Sequence, residues 1–95
     1  IHKVQYAELL YMEGQREYVT FHTTKQNITA LYTLKNLEET LPTTLFMRVH
    51  KSYIVSIRHI ESITGNVLKI AGDTLFIGGN YKDALMKRLN GRVES

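Results

Sequence analysis

Alternating apolar and polar positions predict β-strands in the first third of the chain. In the stretch EYVTFHTT, residues 17–24, Val19 and Phe21 alternate with polar and aromatic neighbours, and NITALYT, residues 27–33, repeats the pattern. β-Branched and aromatic residues dominate both stretches, as they do in strands. The segment between them is polar and ends in asparagine, so residues 17–32 are predicted to form a hairpin.

A second group of strands is predicted from the glycine-containing turns further along the chain. Three short apolar runs, IESIT, VLKIA and TLFIG, are separated by Gly65-Asn66 and by Gly72-Asp73. Both pairs supply residues that accept the positive φ that tight hairpin turns require. This stretch is therefore predicted to be a meander of three strands.

Two segments have the periodicity of helices. In TLKNLEETLP the leucines recur at i, i+3 and i+7, while Thr33 can cap the start and Pro42 closes the end. In NYKDALMKRLNG, Asn80 is the predicted N-cap, with Asp83 three residues on, and Gly91 is the predicted stop. The apolar stripe of this helix predicts that it packs back onto the sheet. The expected fold is mainly β, with one central helix and one short C-terminal helix.

Size and composition indicate one ordinary globular domain. The chain has 95 residues, of which 43% are hydrophobic and 22% charged, enough for a single modest core. It has no cysteine, which excludes disulfides and fits a cytoplasmic location. No apolar run approaches the roughly 18 residues that span a bilayer, so we expect no membrane contact. The first residue is Ile1 rather than methionine, so we expect a piece of a longer protein.

Positive charge is concentrated in the middle of the chain. The formal net charge is only +3, but residues 40–60 contain Arg48, Lys51 and Arg58 and no acidic residue. His50 lies in the same stretch, within the motif RVHKSYIV, whose apolar end is predicted to be core. A local field of this kind attracts polyanions, although an ordinary solvated basic surface explains the charge equally well.

No catalytic or metal-binding constellation is evident in the sequence. The four histidines lack metal-ligand spacing, and there are no thiols to complete a zinc site. The motif IGGN lacks the lysine and the spacing of a phosphate-binding loop, and Ser52 near His50 has no evident third partner. We therefore expect neither enzyme activity nor a metal or other cofactor.

Four motifs together resemble a known family. VQYAELLYMEGQREYVTFHT, TLKNLEETLP, LFMRVHKSYIVSIRHIESI and IGGNYKDAL occur in the order found in the LytTR-type DNA-binding domain of bacterial transcription regulators. The resemblance implies an elongated fold of about ten largely antiparallel β-strands that presents loops rather than a recognition helix to DNA. It also implies that residues 1–95 are a single domain at the C-terminal end of a longer response regulator of a two-component system.

The resemblance places base-reading side chains on three loops that enter successive major grooves. The first loop is EGQRE, where Glu17 takes the base-reading position with Arg16 beside it. In the second loop, HKS, this position falls on Lys51 and a phosphate-contacting one on Ser52. In the third, GGNY, it falls on Asn80. Lysine can donate to guanine and asparagine can read adenine, while the alternative use of Asn80 as a helix cap stays open.

Phosphate contacts are expected around these base-reading positions. Arginine, serine and exposed backbone amides ahead of a helix suit phosphate oxygens, and the expected contacts are Arg48, His50, Ser52, Gly78, Gly79 and Tyr81. The expected partners are double-stranded promoter DNA with direct repeats, a second copy of the chain on that DNA, and an upstream receiver or sensor domain. The alternative is a non-catalytic β-domain that binds another protein.

Overall fold

The computed structural model describes residues 4–93, with side chains as far as residue 90. Eight strands are present in this part of the chain: β1 Leu9–Gln15, β2 Tyr18–Thr23, β3 Asn27–Leu31, β4 Phe46–His50, β5 Tyr53–Ser56, β6 Ile60–Thr64, β7 Val67–Ile70 and β8 Asp73–Phe76. The helices are α1 Leu34–Thr40 and α2 Gly79–Val93, with single 3₁₀ turns at Tyr6–Glu8 and Ile57–His59. The predicted mainly β fold is confirmed, with eight described strands instead of about ten. Extents of 40 × 25 × 24 Å make it elongated, as expected.

The strands form two antiparallel sheets. The larger has five strands in the order β3-β2-β1-β5-β4, and the smaller has three in the order β6-β7-β8. The hairpin predicted for residues 17–32 is formed by β2 and β3, in which Val19 pairs with Ala30. The same β2 also pairs with β1, so the hairpin continues into the centre of the larger sheet.

The turns of the smaller sheet agree with the prediction at one position and differ at the other. Gly65 has a φ of 60° in the β6–β7 turn, as expected. The β7–β8 turn consists of Ala71 and Gly72, both with positive φ, because Ile70 already pairs with Asp73. Asp73 was predicted as a turn residue and is instead the first residue of β8. Gly72 was correctly predicted to lie in the turn, but it is the second of the two turn residues and not the first.

The larger sheet is covered on both faces. On one face Tyr11, Val49 and Val55 pack with residues of the smaller sheet and of α2. On the other face Met12 and Ile54 pack with residues of α1. Since successive residues of a strand point to opposite faces, β5 is buried on both sides. This explains the continuous apolar run in RVHKSYIV, although Tyr53, predicted as core, is only half-buried.

The predicted start is confirmed for α1, whereas the predicted start and end of α2 are wrong. The Thr33 side chain accepts a hydrogen bond from the Asn36 amide at 3.1 Å, so the predicted cap of α1 is confirmed. The N-cap predicted at Asn80 is wrong, because α2 already begins at Gly79. The stop predicted at Gly91 is also wrong, since the helix continues to Val93; an interior glycine costs a helix about 1 kcal/mol without ending it. The predicted packing on the sheet is confirmed by the fully buried Leu85.

Candidate nucleic-acid interface

Two hairpin turns lie at the same end of the larger sheet. Arg16 and Glu17 connect β1 to β2, and Lys51 and Ser52 connect β4 to β5. Because β1 and β5 are antiparallel neighbours, β1 ends where β5 begins. The amide of Gly14 donates to the carbonyl of Ser52 at 2.9 Å, which ties the two turns together. The first two predicted loops are therefore adjacent in the structure.

The third predicted loop joins the second. The amide of Gly78 donates to the carbonyl of Val49 at 2.8 Å, which fastens the start of α2 to the end of β4. A shallow depression of about 220 Å³ results, lined by residues of both loops: His50, Lys51, Gly78, Gly79, Asn80 and Tyr81. Residues separated by more than 25 positions in the sequence thus share one surface, and all six were predicted as contacts.

The first turn presents two exposed charged side chains. Arg16 and Glu17 are both exposed, and Arg16 has a φ of 58°, a left-handed conformation that is uncommon for residues other than glycine. The carbonyl of Glu17 accepts from the amide of Tyr32 at 3.2 Å, which holds the turn against the segment leading into α1. The turn is thus anchored through its backbone, and both of its side chains face solvent.

His50 is held by the backbone of the second turn. The amide of Ser52 donates to Nδ1 of His50 at 3.0 Å. Since Nδ1 accepts this bond, the proton of the neutral ring lies on Nε2, which can donate to an anion. Lys51 is exposed on the same turn, and Ser52 is half-buried. The turn therefore combines the exposed ammonium of Lys51 with two neutral donors, the hydroxyl of Ser52 and the Nε2 of His50.

Arg48 is engaged inside the protein. Its Nε donates to the carbonyl of His50 at 2.9 Å and its Nη2 to the carbonyl of Lys51 at 2.6 Å. Its Nη1 forms an ion pair with Glu38 on α1. Only 18% of the side chain is exposed. The predicted phosphate contact of Arg48 stays a prediction, while the structure shows it as part of the support of the second turn.

The start of α2 leaves its polar groups at the surface. Gly79 and Asn80 are exposed, and Asn80 lies within the helix instead of capping it. Tyr81 is half-buried against Gly78, where an added Cβ would lie 2.9 Å from the tyrosine ring. The side chain of Asn80 is thus exposed and is not committed to helix capping.

Asn66 and Lys82 lie beside the third loop and were not among the predicted contacts. The amide of Ile77 donates to the carbonyl of Asn66 at 2.7 Å, and the ammonium of Lys82 donates to the Asn66 side chain at 3.2 Å. The β6–β7 turn therefore lies next to the start of α2. One signal was present in the sequence, since a lysine in the first turn of a helix opposes the helix dipole. The neighbourhood of Asn66, however, depends on the packing of the smaller sheet.

The remaining histidines of the described chain have structural contacts. His22 stacks on Tyr11 with ring centroids 4.1 Å apart, and its Nε2 lies 3.3 Å from Glu13. His59 lies 2.9 Å from the hydroxyl of the buried Ser56. Both are partly buried. They contribute to packing at sites away from the three loops.

Comparisons with known proteins identify the family. A family model described as the LytTr DNA-binding domain matches residues 1–90. The sensory transduction protein LytR of Staphylococcus epidermidis is 32% identical over 63 residues, which are 66% of this chain and 25% of that protein. The sensory transduction protein LytT of Bacillus anthracis is 35% identical over 77 residues, 75% of this chain and 31% of that protein. The chain thus spans about a quarter to a third of these relatives.

A solved structure agrees with the fold of the whole domain. The LytTr DNA-binding domain of a putative methyl-accepting/DNA response regulator from Bacillus cereus superimposes with a TM-score of 0.82 at 26% identity. The match covers 90% of this chain and 84% of that one. The expected resemblance is confirmed, and so is the expectation that the domain is not an enzyme, because the family is a DNA-binding one. The chain belongs to the LytTR family of DNA-binding domains.

Proposed function

We propose that this domain binds promoter DNA sequence-specifically for a bacterial transcription regulator, by inserting its three loops into successive major grooves. The observation that carries the proposal is the meeting of the three loops at one end of the molecule. Antiparallel pairing holds the first two, and a backbone hydrogen bond holds the third. Contact groups on a rigid frame lose little conformational entropy on binding.

Four exposed side chains are the proposed base readers. Lys51 can donate to guanine N7 and O6, and Asn80 can form a bidentate pair with adenine. Arg16 can also read guanine, while Glu17 can accept from cytosine N4. All four are exposed in the described structure, so no side chain has to be withdrawn from the core before binding.

Phosphate contacts are proposed around the depression between the second and third loops. Ser52 and the Nε2 of His50 can donate from the turn, and the amide of Gly79 can donate from the start of α2. The amide of Gly78 already donates to the carbonyl of Val49 and positions this start. Tyr81 lines the same depression, and its hydroxyl is a further proposed donor. Donors of this kind fix the register of a protein on the duplex without reading its sequence.

The domain is proposed to be one part of a longer cytoplasmic protein. The curated relatives are sensory transduction proteins, and the chain covers only 25% and 31% of the two compared above. A receiver or sensor domain upstream of residues 1–95 suits this arrangement. If that upstream domain dimerises the protein, two copies bind direct repeats more tightly than one copy binds a single site, because the second copy then binds at a raised effective concentration.

The proposal is tested by selecting duplexes from a random-sequence DNA pool with the chain and measuring affinity by filter binding. We expect enrichment of one sequence motif and a steep fall of affinity with salt, about 0.9 in log–log slope for each phosphate contacted. Tandem copies of the motif in the correct spacing should bind more tightly than a single copy. A pool that stays random after repeated selection, together with a slope near zero, would exclude DNA recognition and favour a protein-binding β-domain.

A further inference from the structure

The second loop follows a β-bulge at the end of β4. Arg48 pairs with Ile54 and His50 pairs with Tyr53, so β4 has one more residue than β5 between these pairs. Such a bulge disrupts the ladder locally. The carbonyls of Val49, His50 and Lys51 lie at this bulge and in the turn, and each accepts a hydrogen bond from a donor outside the strand pair.

Those donors come from one arginine and from the third loop. The carbonyl of Val49 accepts from the amide of Gly78. The carbonyls of His50 and Lys51 accept from two nitrogens of the same guanidinium, at 2.9 and 2.6 Å. A guanidinium is planar and its N–H groups have a fixed fork geometry. Bonds from it to two successive carbonyls therefore fix the peptide planes on either side of Lys51.

The guanidinium is in turn held by α1. Glu38 pairs with Nη1, and its side chain is 44% exposed while that of Arg48 is 18% exposed. The helix packs on the sheet through the buried Leu37, the residue before Glu38. The pair also balances its own charge, so Arg48 adds little positive field toward an outside polyanion.

We propose that Arg48 is a positioning residue: it fixes the turn that presents Lys51, and Glu38 on α1 holds the guanidinium in place. The inference rests on the proposed function, in which Lys51 reads a base. In this role Arg48 supports the turn from within the protein and does not bind a DNA phosphate. The two roles differ in what a charge-conserving substitution should do.

The first test is made on the free protein. In Arg48→Lys the positive charge remains, but an ammonium cannot reproduce the planar fork to two carbonyls. We expect ¹⁵N relaxation to show the amides of Lys51 and Ser52 becoming mobile, with order parameters falling from about 0.85 to below about 0.6. The amides of β7 should stay unchanged and report an intact fold. Unchanged order parameters at both turn amides would overturn the proposal, whether or not the domain binds DNA.

The second test uses a duplex selected by the wild-type chain and a duplex of random sequence. Arg48→Lys should lose at least tenfold in affinity on the selected duplex and little on the random one, with the same salt slope. Full affinity of Arg48→Lys, together with a slope lowered by about one in Arg48→Met, would identify a phosphate ligand and overturn the proposal. If the wild-type chain selects no sequence, the proposed function fails, and the relaxation measurement still decides the role of Arg48.

A matched pair of substitutions on α1 distinguishes positioning from phosphate binding by Arg48, because the two roles predict opposite differences in affinity for DNA. Glu38→Gln removes the negative charge of the ion pair and leaves only a neutral amide oxygen for Arg48, and Glu39→Gln removes the neighbouring exposed acid of the same helix. Both remove one negative charge, so both share any general gain in affinity for DNA. If Glu38 positions Arg48, Glu38→Gln should bind the selected duplex at least threefold more weakly than Glu39→Gln. Tighter binding of Glu38→Gln than of Glu39→Gln would mean that Glu38 withholds Arg48 from phosphate, and would overturn the proposal.

Discussion

Tyr11 and Asp73, 62 positions apart in the sequence, join the two sheets by a hydrogen bond. The phenol of Tyr11 on β1 donates to Oδ2 of Asp73, the first residue of β8, at 2.9 Å. The Tyr11 side chain is 5% exposed and belongs to the core between the sheets. Burial, and then the hydrogen bond and charge of Asp73, raise the pKa of Tyr11 well above its ordinary value.

Removing the hydroxyl of Tyr11 should destabilise the domain. Tyr11→Phe keeps the ring and deletes the donor, and a hydrogen bond to a carboxylate contributes about 1–3 kcal/mol. We expect a loss near the lower limit, about 1 kcal/mol, because Asp73 is exposed and water can solvate it. In a domain of this size the melting temperature should fall by about 4–8 °C. Tyr18→Phe, at a tyrosine that is 46% exposed, is the control in calorimetry and should melt like the wild type.

The hydrogen bond between Tyr11 and Asp73 should also make the stability of the domain fall at alkaline pH. The unfolded tyrosine titrates near its ordinary pKa of 10.0, while the pKa of folded Tyr11 is raised. The stabilisation is therefore complete below pH 10, and it falls as the pH rises through and above 10, where the unfolded state loses its proton first. Urea unfolding between pH 9 and 11 should show a steeper loss in the wild type than in Tyr11→Phe. Parallel curves for the two proteins would contradict this.

Patterns that depend on local sequence were predictable. The strand alternation around Val19, the cap at Thr33 and the glycine turn at Gly65 all follow from the residues and their near neighbours, and the structure has each of them. The apolar run after Ser52 was correctly interpreted as core because a strand buried on both faces has no polar alternate positions. Such features need no knowledge of distant parts of the chain.

The errors arose where a distant partner decides the outcome. Asp73 is of a residue type common in turns, yet it pairs with Ile70 as the first residue of β8, and its side chain accepts a hydrogen bond from Tyr11, 62 positions away. Asn80 is a good cap by propensity, but Gly78 is fastened to Val49 and the helix begins earlier. Both outcomes required the packing of the two sheets to be known.

The candidate site was predictable in its loops and not in its charges. The resemblance indicated which loops carry the contacts, and the structure brings them together. The basic stretch 40–60 appeared to be an uncompensated positive region because it contains no acid. Its Arg48 is neutralised by Glu38 from another element, and Lys82 lies at the same end although it is far away in sequence. Charge counted along the chain is therefore a poor guide to charge on a surface.

Two adjacent glycines should respond oppositely to alanine. A Cβ on Gly78 would lie 2.9 Å from the ring of Tyr81 and 3.6 Å from the Cα of His50, whereas one on Gly79 would meet nothing within 4 Å. Gly78→Ala should lower the free energy of unfolding by about 1–3 kcal/mol through overpacking. Gly79→Ala should raise it by up to about 1 kcal/mol, because alanine favours the helix. Equal stabilities in chemical denaturation would show that Tyr81 moves aside freely.

Lys82 should contribute to DNA binding through phosphate. Its ammonium is held at the start of α2 by Asn66, beside the proposed third loop. Lys82→Ala should weaken binding to selected and random duplexes equally and lower the salt slope by about one. Lys87→Ala, at an exposed lysine more than a turn further along the same helix, is the matched control for loss of one charge. Equal effects of the two substitutions would exclude a local contact at Lys82.

Lys51 should contribute to specificity more than to stability. It is exposed at the tip of the second turn, and surface substitutions of this kind change stability by less than about 0.5 kcal/mol. If Lys51 reads a guanine, as we expect, Lys51→Ala costs about 1–3 kcal/mol on the selected duplex and relaxes the preference at one base pair. A phosphate contact would instead weaken binding to every sequence alike. Titrating Lys51→Ala against the selected duplex and its single-base-pair variants distinguishes these outcomes, and unchanged affinity for all of them, with the fold intact, would remove Lys51 from the interface.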